Sequence, residues 1–295
     1  MLSARADIEF GAARLRSLSV LERSFRAYVA CRENLIFDTR FSSAAQTTSP
    51  CAHLFFMLAG TMTIVGRAPQ QAPVAFLLTD DEADGAGPFA PHTFRTEGTQ
   101  THVLYVRVPA EMVRGMPGLA HGALALDDAC WDAARRVIDD AITDRVRVAS
   151  YVTLFEHVER HGLISAAVVA GIVDDEPAHF VRLWSALQPS YGILATSVSL
   201  KELAAQLGVS RRQLTRDATE MARTFHWPGG AFRDAMRMIR LRIAAILLSA
   251  PEATVPAVAA RTGYSTTTAM GRAFRDAGLP SPTEVQSALR TPSTD

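Results

Sequence analysis

Leu203-Ala204-Ala205-Gln206-Leu207-Gly208-Val209-Ser210 returns fifty-five positions later as Val258-Ala259-Ala260-Arg261-Thr262-Gly263-Tyr264-Ser265. Each copy reads as a short apolar helix, a glycine turn and then a helix rich in Arg, Thr and Gln. That is the pattern of a helix-turn-helix, whose second helix enters the major groove of DNA. Two copies in one chain set a spacing between two reading helices.

In the first copy, Ser199 is the expected N-cap of a helix over Leu200–Leu207, and Gly208 can take the left-handed conformation that ends it. Ser210 with Gln213 three residues on predicts a capping box for the second helix. Leu214, Ala218 and Met221 fall at i, i+4 and i+7 and face inward, which leaves Arg211, Arg212, Thr215, Arg216 and Thr219 outside. Arginine can bond guanine edges bidentately or hold phosphates, so Arg211, Arg212, Thr215 and Arg216 are the candidate DNA contacts. In the second copy the turn is one residue longer. Thr266 becomes the cap, Met270, Ala273 and Phe274 face inward, and Thr267, Thr268, Gly271, Arg272 and Arg275 face outward. Thr267, Thr268, Arg272 and Arg275 are the candidate contacts there. This face carries less charge, so the first unit is expected to discriminate bases and the second to anchor phosphates. Gly271, in mid-helix, costs roughly 1 kcal/mol against alanine.

Between the copies, Ala231 to Leu248 predicts one long helix with an apolar stripe through Phe232, Ala235, Met236, Ile239, Ile243, Ile246 and Leu247 and with Arg233, Arg237, Arg240 and Arg242 around it. At about 1.5 Å per residue it spans roughly 27 Å, a rod that can hold two helices near one DNA turn, about 34 Å, apart.

The whole chain agrees with this reading once it is divided. Its 295 residues carry no net charge, yet from Glu176 onward there are 14 Arg and Lys against 9 Asp and Glu, a balance of +5 that leaves −5 before it. The positive field therefore lies on the part that holds the repeat. Lys201 is the one lysine, so phosphate contacts fall to arginine. The apolar runs are too short to span a bilayer and the start lacks an apolar signal core, which excludes a membrane partner and sets the expectation of a cytoplasmic protein. Cys31, Cys51 and Cys130 are widely spaced, against a disulfide framework or zinc site.

From about Leu15 to Pro109 the chain reads as strands: Leu15–Val20, His53–Val65, Val74–Thr79, His92–Glu97 and Thr101–Val108, with Gly, Pro and Asp turns between. This predicts a sandwich or small barrel. Asp80-Asp81-Glu82 with Asp84 reads as a solvated loop. Helical spacing begins at Asp127, with Asp127 or Asp128 as the expected cap of a helix through Trp131, Val137 and Ile142, and continues over Tyr151–His161, an unusually apolar Leu163–Val173, and about Ala178–Leu187, ended by Pro189 and Gly192. The expected divisions are 1–125, a sensor; 126–175, a helical dimerisation segment; and 176–295, the DNA-binding part.

The residues of the C-terminal part resemble the AraC-type bacterial transcription regulators. The signature Gly263-Tyr264-Ser265, Arg272-Ala273-Phe274 and Ser281-Pro282 stands in the family's order, over about 177–289. Three features depart from it: a longer connection at Thr224–Gly230, a short Arg275-Asp276-Ala277-Gly278, and Val285 where an aromatic often follows. The resemblance implies an α+β protein of two domains, an N-terminal cupin-like β-barrel with following helices and a C-terminal all-α domain with two helix-turn-helix motifs joined by a long helix. It implies a regulator that binds operator DNA, as a homodimer, under a small-molecule effector, with RNA polymerase as a further partner. Expected effector contacts in the barrel are Phe55, Met57, Phe76, His92, Phe94 and Tyr105. An effector-independent regulator is one alternative. A metal-dependent cupin enzyme is the other, but His53 is followed by Leu54 and Phe55 rather than a second histidine, and His92 alone makes no site. No catalytic residue, metal or cofactor is expected.

Overall fold

Residues that alternate buried and exposed build the first half of the molecule, because successive side chains of a strand point to opposite faces. The chain is described as a computed structural model, covering residues 1–42, 51–64, 67–79, 94–114, 123–143, 145–172, 176–192, 200–225 and 232–291, and of 189–192, 232, 233 and 235 the backbone alone. His92, the acidic run from Asp80, Ser199 and residues 226–231 of the long connection lie outside the described residues.

Among the described residues eight strands form one antiparallel sheet: β1 (Leu2–Phe10), β2 (Ala13–Leu21), β3 (Arg26–Glu33), β4 (Phe37–Asp38), β5 (Cys51–Ile64), β6 (Gln70–Gln71), β7 (Val74–Thr79) and β8 (Phe94–Pro109). The path is β1-β2-β3-β8-β5-β6, with β4 on β8 and β7 on β5. The described part of the expected segment His92–Glu97, from Phe94, runs on into Thr101–Val108 as one strand. Gly98 at φ +146° and Gly60 at φ +97° absorb the irregularity where the β5–β8 register shifts. A Cβ on Gly60 would stand 2.6 Å from Thr101 Cγ2, so only glycine fits. The strands β1 and β3 were not anticipated. Leu2, Ala4, Ala6 and Ile8 alternate correctly, but β1 is written largely in Ala, Arg and Ser, which carry little strand preference.

On the outer face of the sheet, Val29, Cys31, Leu54, Phe56, Leu104 and Val106 pack against α1 (Asp128–Ile142), α2 (Val148–Arg160) and α3 (Ala166–Ala170). Side chains such as Phe155 and Leu154 are fully buried there, each stabilising by about 1.5–3 kcal/mol. Asp127 caps α1, accepting from Cys130 N–H at 2.8 Å. The apolar stretch Leu163–Val173 is not one helix. Gly162 at φ +71° stops α2, Ile164 bridges to Val113, and only five residues coil as α3. The apolarity answers burial against the sheet rather than helix length.

The C-terminal half is helical: α4 (Ala178–Gly192), α5 (Leu200–Leu207), α6 (Arg211–Thr224), α7 (Phe232–Leu248), α8 (Val255–Arg261), α9 (Thr267–Asp276) and α10 (Pro282–Arg290). Helix α4 runs past Leu187 and Pro189 and stops at Gly192, the second of its two expected end signals. The second half of α7 is buried on more than one face, since Leu241, Ile243, Ala244, Ala245, Ile246, Leu247 and Leu248 are all buried. One face packs on α8, α9 and α10; the other meets Ile8, Ala13, Leu15, Leu35 and Phe41 of the sheet end. A single apolar stripe was expected. The second partner is the sheet itself.

Candidate nucleic-acid interface and barrel cleft

Both turn units form as their capping residues dictate. Gly208 sits at φ +66° and Gly263 at φ +75°. Ser210 accepts from Gln213 N–H at 3.1 Å, and Thr266 from Ala269 N–H at 3.0 Å. The capping box expected at Ser210 is only half made, because the Gln213 side chain turns away, donating to Asp217 at 2.5 Å and accepting from Arg216. Leu214 and Met221 are buried with Phe180, Leu203 and Phe225; Met270 and Phe274 are buried with Val258, Val285 and Leu289. Val285 thus fills the position where the resemblance expected an aromatic.

Arg211, Arg212, Thr215, Arg216 and Thr219 are exposed on α6, as are Thr267, Thr268, Arg272 and Arg275 on α9. Thr215 and Thr219 spend their hydroxyl hydrogens on the carbonyls of Arg211 and Thr215, at 2.9 and 2.8 Å. Their methyl groups and remaining lone pairs stay outward. Among the described residues, no carboxylate pairs with Arg211 or Arg212, so both keep their full donor sets for phosphate or guanine. Between the units, the seventeen residues of α7 span roughly 25 Å. Arg240 lies over the Tyr264 ring at 5.1 Å, a contact that ties the rod to the second turn.

The inner face of the sheet carries the second site. Cross-strand register places Phe55, Met57, Phe76 and Tyr105 on one side, with Phe94 beside them. Phe55, Phe94 and Tyr105 line a cleft together with Tyr28, Ala30, Arg32, Phe37, Thr96, Val103, and Arg242 and Ile246 of α7. About 500 Å³ of empty space lies among these residues, open solvent included. Met57 and Phe76 pack behind the wall without lining it. His53 is not a bare ligand: its Nδ1 is 2.6 Å from the Tyr105 hydroxyl, with the two rings stacked. Among the described residues no three His, Cys, Asp or Glu side chains converge as metal ligands would.

The sequence reading missed Arg32, the dominant charge of the cleft. It is 3% exposed and stands over Phe37 at 5.4 Å. It donates to Thr96 Oγ1 at 2.7 Å, while its Nε has no hydrogen-bond partner. Burial pushes its pKa down to about 10, and among the described residues no carboxylate offsets that. The one available signal was the alternation Arg26, Tyr28, Ala30, Arg32, which places Arg32 on the aromatic face. Arg242, read as an outer residue of the rod, instead faces the cleft and donates through Nε to Ser42 Oγ at 3.2 Å.

Both helix-turn-helix units are tied to the sheet. Trp184 Nε1 of α4 donates to Ser3 O at 2.7 Å, and α4 with β1 buries Leu2, Ala4 and Leu21 beside Phe180 and Trp184. Arg95 of β8, 6% exposed, donates to Leu289 O at 2.8 Å and Thr291 O at 3.3 Å, filling the carbonyls that end α10. Ser249 at the end of α7 accepts from Ile36 N–H at 2.8 Å. The sheet, the helices on its outer face and two turn units joined by one rod make up the described architecture. It is AraC-like.

No family model matches the chain, and no curated protein matches it. Among solved structures, ToxT from Vibrio cholerae is 12% identical, covering 91% of this chain and 100% of its own, with a TM-score of 0.36. The AraC-like transcriptional activator CuxR is 13% identical over 80% of this chain and 78% of its own, with a TM-score of 0.28. The oxalate decarboxylase of Lactobacillus farciminis is 14% identical over 60% of this chain and 45% of its own, with a TM-score of 0.23. Likenesses this distant add no weight to what the elements themselves display. No helix among the described residues is long and apolar enough to cross a membrane.

Proposed function

We propose that the chain is a sequence-specific DNA-binding transcription regulator whose two reading helices are set by an apolar, acidic small molecule bound in the barrel cleft. One observation carries the reading: α7 is both the rod between the turn units and a wall of the cleft, through Arg242 and Ile246. A molecule that prefers one position of α7 must, by linkage, change DNA affinity by the same factor that DNA changes its own. Arg32 points to an acid, since a buried guanidinium with no carboxylate beside it among the described residues is costly until an anion meets it. Arg211, Arg212 and Arg216 read bases, while Arg272 and Arg275 with Thr267 and Thr268 hold the second groove. The sensor at 1–125, the segment 126–175 and the reader at 176–295 are part of this proposal, as are a homodimer, a contact with RNA polymerase and a cytoplasmic location.

The test is to select DNA fragments on the purified chain and measure the affinity of the enriched sequence by gel shift, with and without octanoate. Enrichment of two short elements about one helical turn apart, with affinity changed by the acid, supports the reading. Fragments of no common sequence would sink it. An enriched operator whose affinity no acid alters would leave an effector-independent regulator.

A further inference from the structure

The inner face of the sheet carries a second buried guanidinium that the cleft does not account for. In the β3–β8 register Arg26 faces Arg107, Tyr28 faces Tyr105, Ala30 faces Val103 and Arg32 faces Thr101. One apolar tract therefore has arginine at both ends of the same face. Arg107 is 8% exposed, and its Nε has no hydrogen-bond partner, as at Arg32. On its other side, Arg107 is in register with His53. Like charges directly across strands repel, and a buried cation without an anion is costlier still. At the Arg32 end of the face, Asp38 holds Arg40 at 2.7 Å and Glu97 holds Arg95 at 2.9 Å, and among the described residues no carboxylate pairs with Arg107.

Between the two charged ends lie Tyr28, Tyr105, Ala30, Val103, Phe55 and Phe94, which offer an apolar body no ionic partner. From the Arg26 and Arg107 row to the Arg32 and Thr101 row is six residues of strand, roughly 20 Å along the backbone, part of which the two arginine side chains cover. A ligand with one anionic head leaves one of the two guanidiniums unanswered. We infer that the cleft takes an acid with an anionic group at each end of an apolar chain, an α,ω-dicarboxylate, one end on Arg32 with Arg242 and the other on Arg107 beside Tyr105. This rests on the reading of the cleft as an effector site and names its ligand class.

The experiment titrates the full chain by calorimetry with suberate, with octanoate of equal carbon count, and with 1,8-octanediol as the uncharged control. Suberate is expected to bind at least tenfold tighter than octanoate. Arg107→Gln should remove that preference and leave octanoate unchanged, and Arg107→Lys should retain part of it; urea unfolding of each variant establishes that it is folded. Octanoate binding as tightly as suberate, or Arg107→Gln weakening both acids alike, would overturn the two-headed ligand while the effector site stands. If neither acid binds better than the diol, both the inference and the acidic-effector reading fall.

Discussion

Replacing Arg32 by methionine should make the unliganded protein more stable and less able to bind an acid. The guanidinium is 3% exposed, and burial lowers its pKa from the ordinary 12.5 to about 10. At about 1.4 kcal/mol per pKa unit, the charged form is penalised by about 3 kcal/mol. Against this stand the Thr96 hydrogen bond and the contact over Phe37, together worth about 1–2 kcal/mol. Methionine preserves much of the volume and carries no charge, so the variant should gain about 1–2 kcal/mol. For a chain of this size that is a rise in Tm of about 2–6 °C. Urea and thermal unfolding of both proteins without ligand give the comparison, and calorimetry with octanoate gives the second half. A loss of 2 kcal/mol or more in the folded, unliganded variant would refute the reasoning, because Arg32 would then be paid for within the protein rather than by a ligand.

Arg212→Ala and Arg216→Ala should each weaken operator binding by about 1–3 kcal/mol in gel shift if the side chain reads a base, with Thr267→Ala doing less; no loss from either arginine would remove α6 as the reader. Gly271→Ala should stabilise the chain by up to about 1 kcal/mol in urea unfolding, since a Cβ there meets nothing within 4 Å and the helix prefers alanine; a loss of stability would count against the described packing of α9. Cys31, Cys51 and Cys130 are buried, and burial raises the Cys31 thiol to about 11 and that of Cys130 to about 12. Native protein at pH 8 should therefore resist an aromatic disulfide reagent that titrates all three thiols in urea. The same raised values set the sign of an alkaline transition. The unfolded thiols ionise near 9 and the folded ones only near 11 to 12, so their contribution is complete below pH 9 and lost as the pH climbs through 11. Stability that rises across pH 9 to 11 would contradict it.

The C-terminal half was legible because its determinants are local. Caps such as Thr266, a glycine forced to positive φ such as Gly263, and inward residues at helical spacing such as Met270 and Phe274 all act within a dozen residues of one another. The exposed faces of α6 and α9 follow from that spacing alone. Where a partner outside the segment decided the outcome, the reading failed. Leu163–Val173 looked like a helix because it is apolar, but its neighbours are the outer face of the sheet and the bridge at Val113. The strands β1 and β3 escaped notice because pairing in the sheet, rather than intrinsic preference, holds their alanines and arginines extended.

From its residues in order, this chain determines two turn-linked helix pairs, the rod between them, and a strand-rich first half, since each depends on periodicity and caps that a single segment contains. Only the tertiary structure decided which face of each strand lines the cleft, that Arg32 and Arg107 are buried with no carboxylate partner among the described residues, and that Arg242 turns from the rod toward the cleft that Arg32 lines. The physical reason is range. A helix cap is settled within four residues, whereas the solvation of a charge depends on every element packed around it, and here those elements come from opposite ends of the chain.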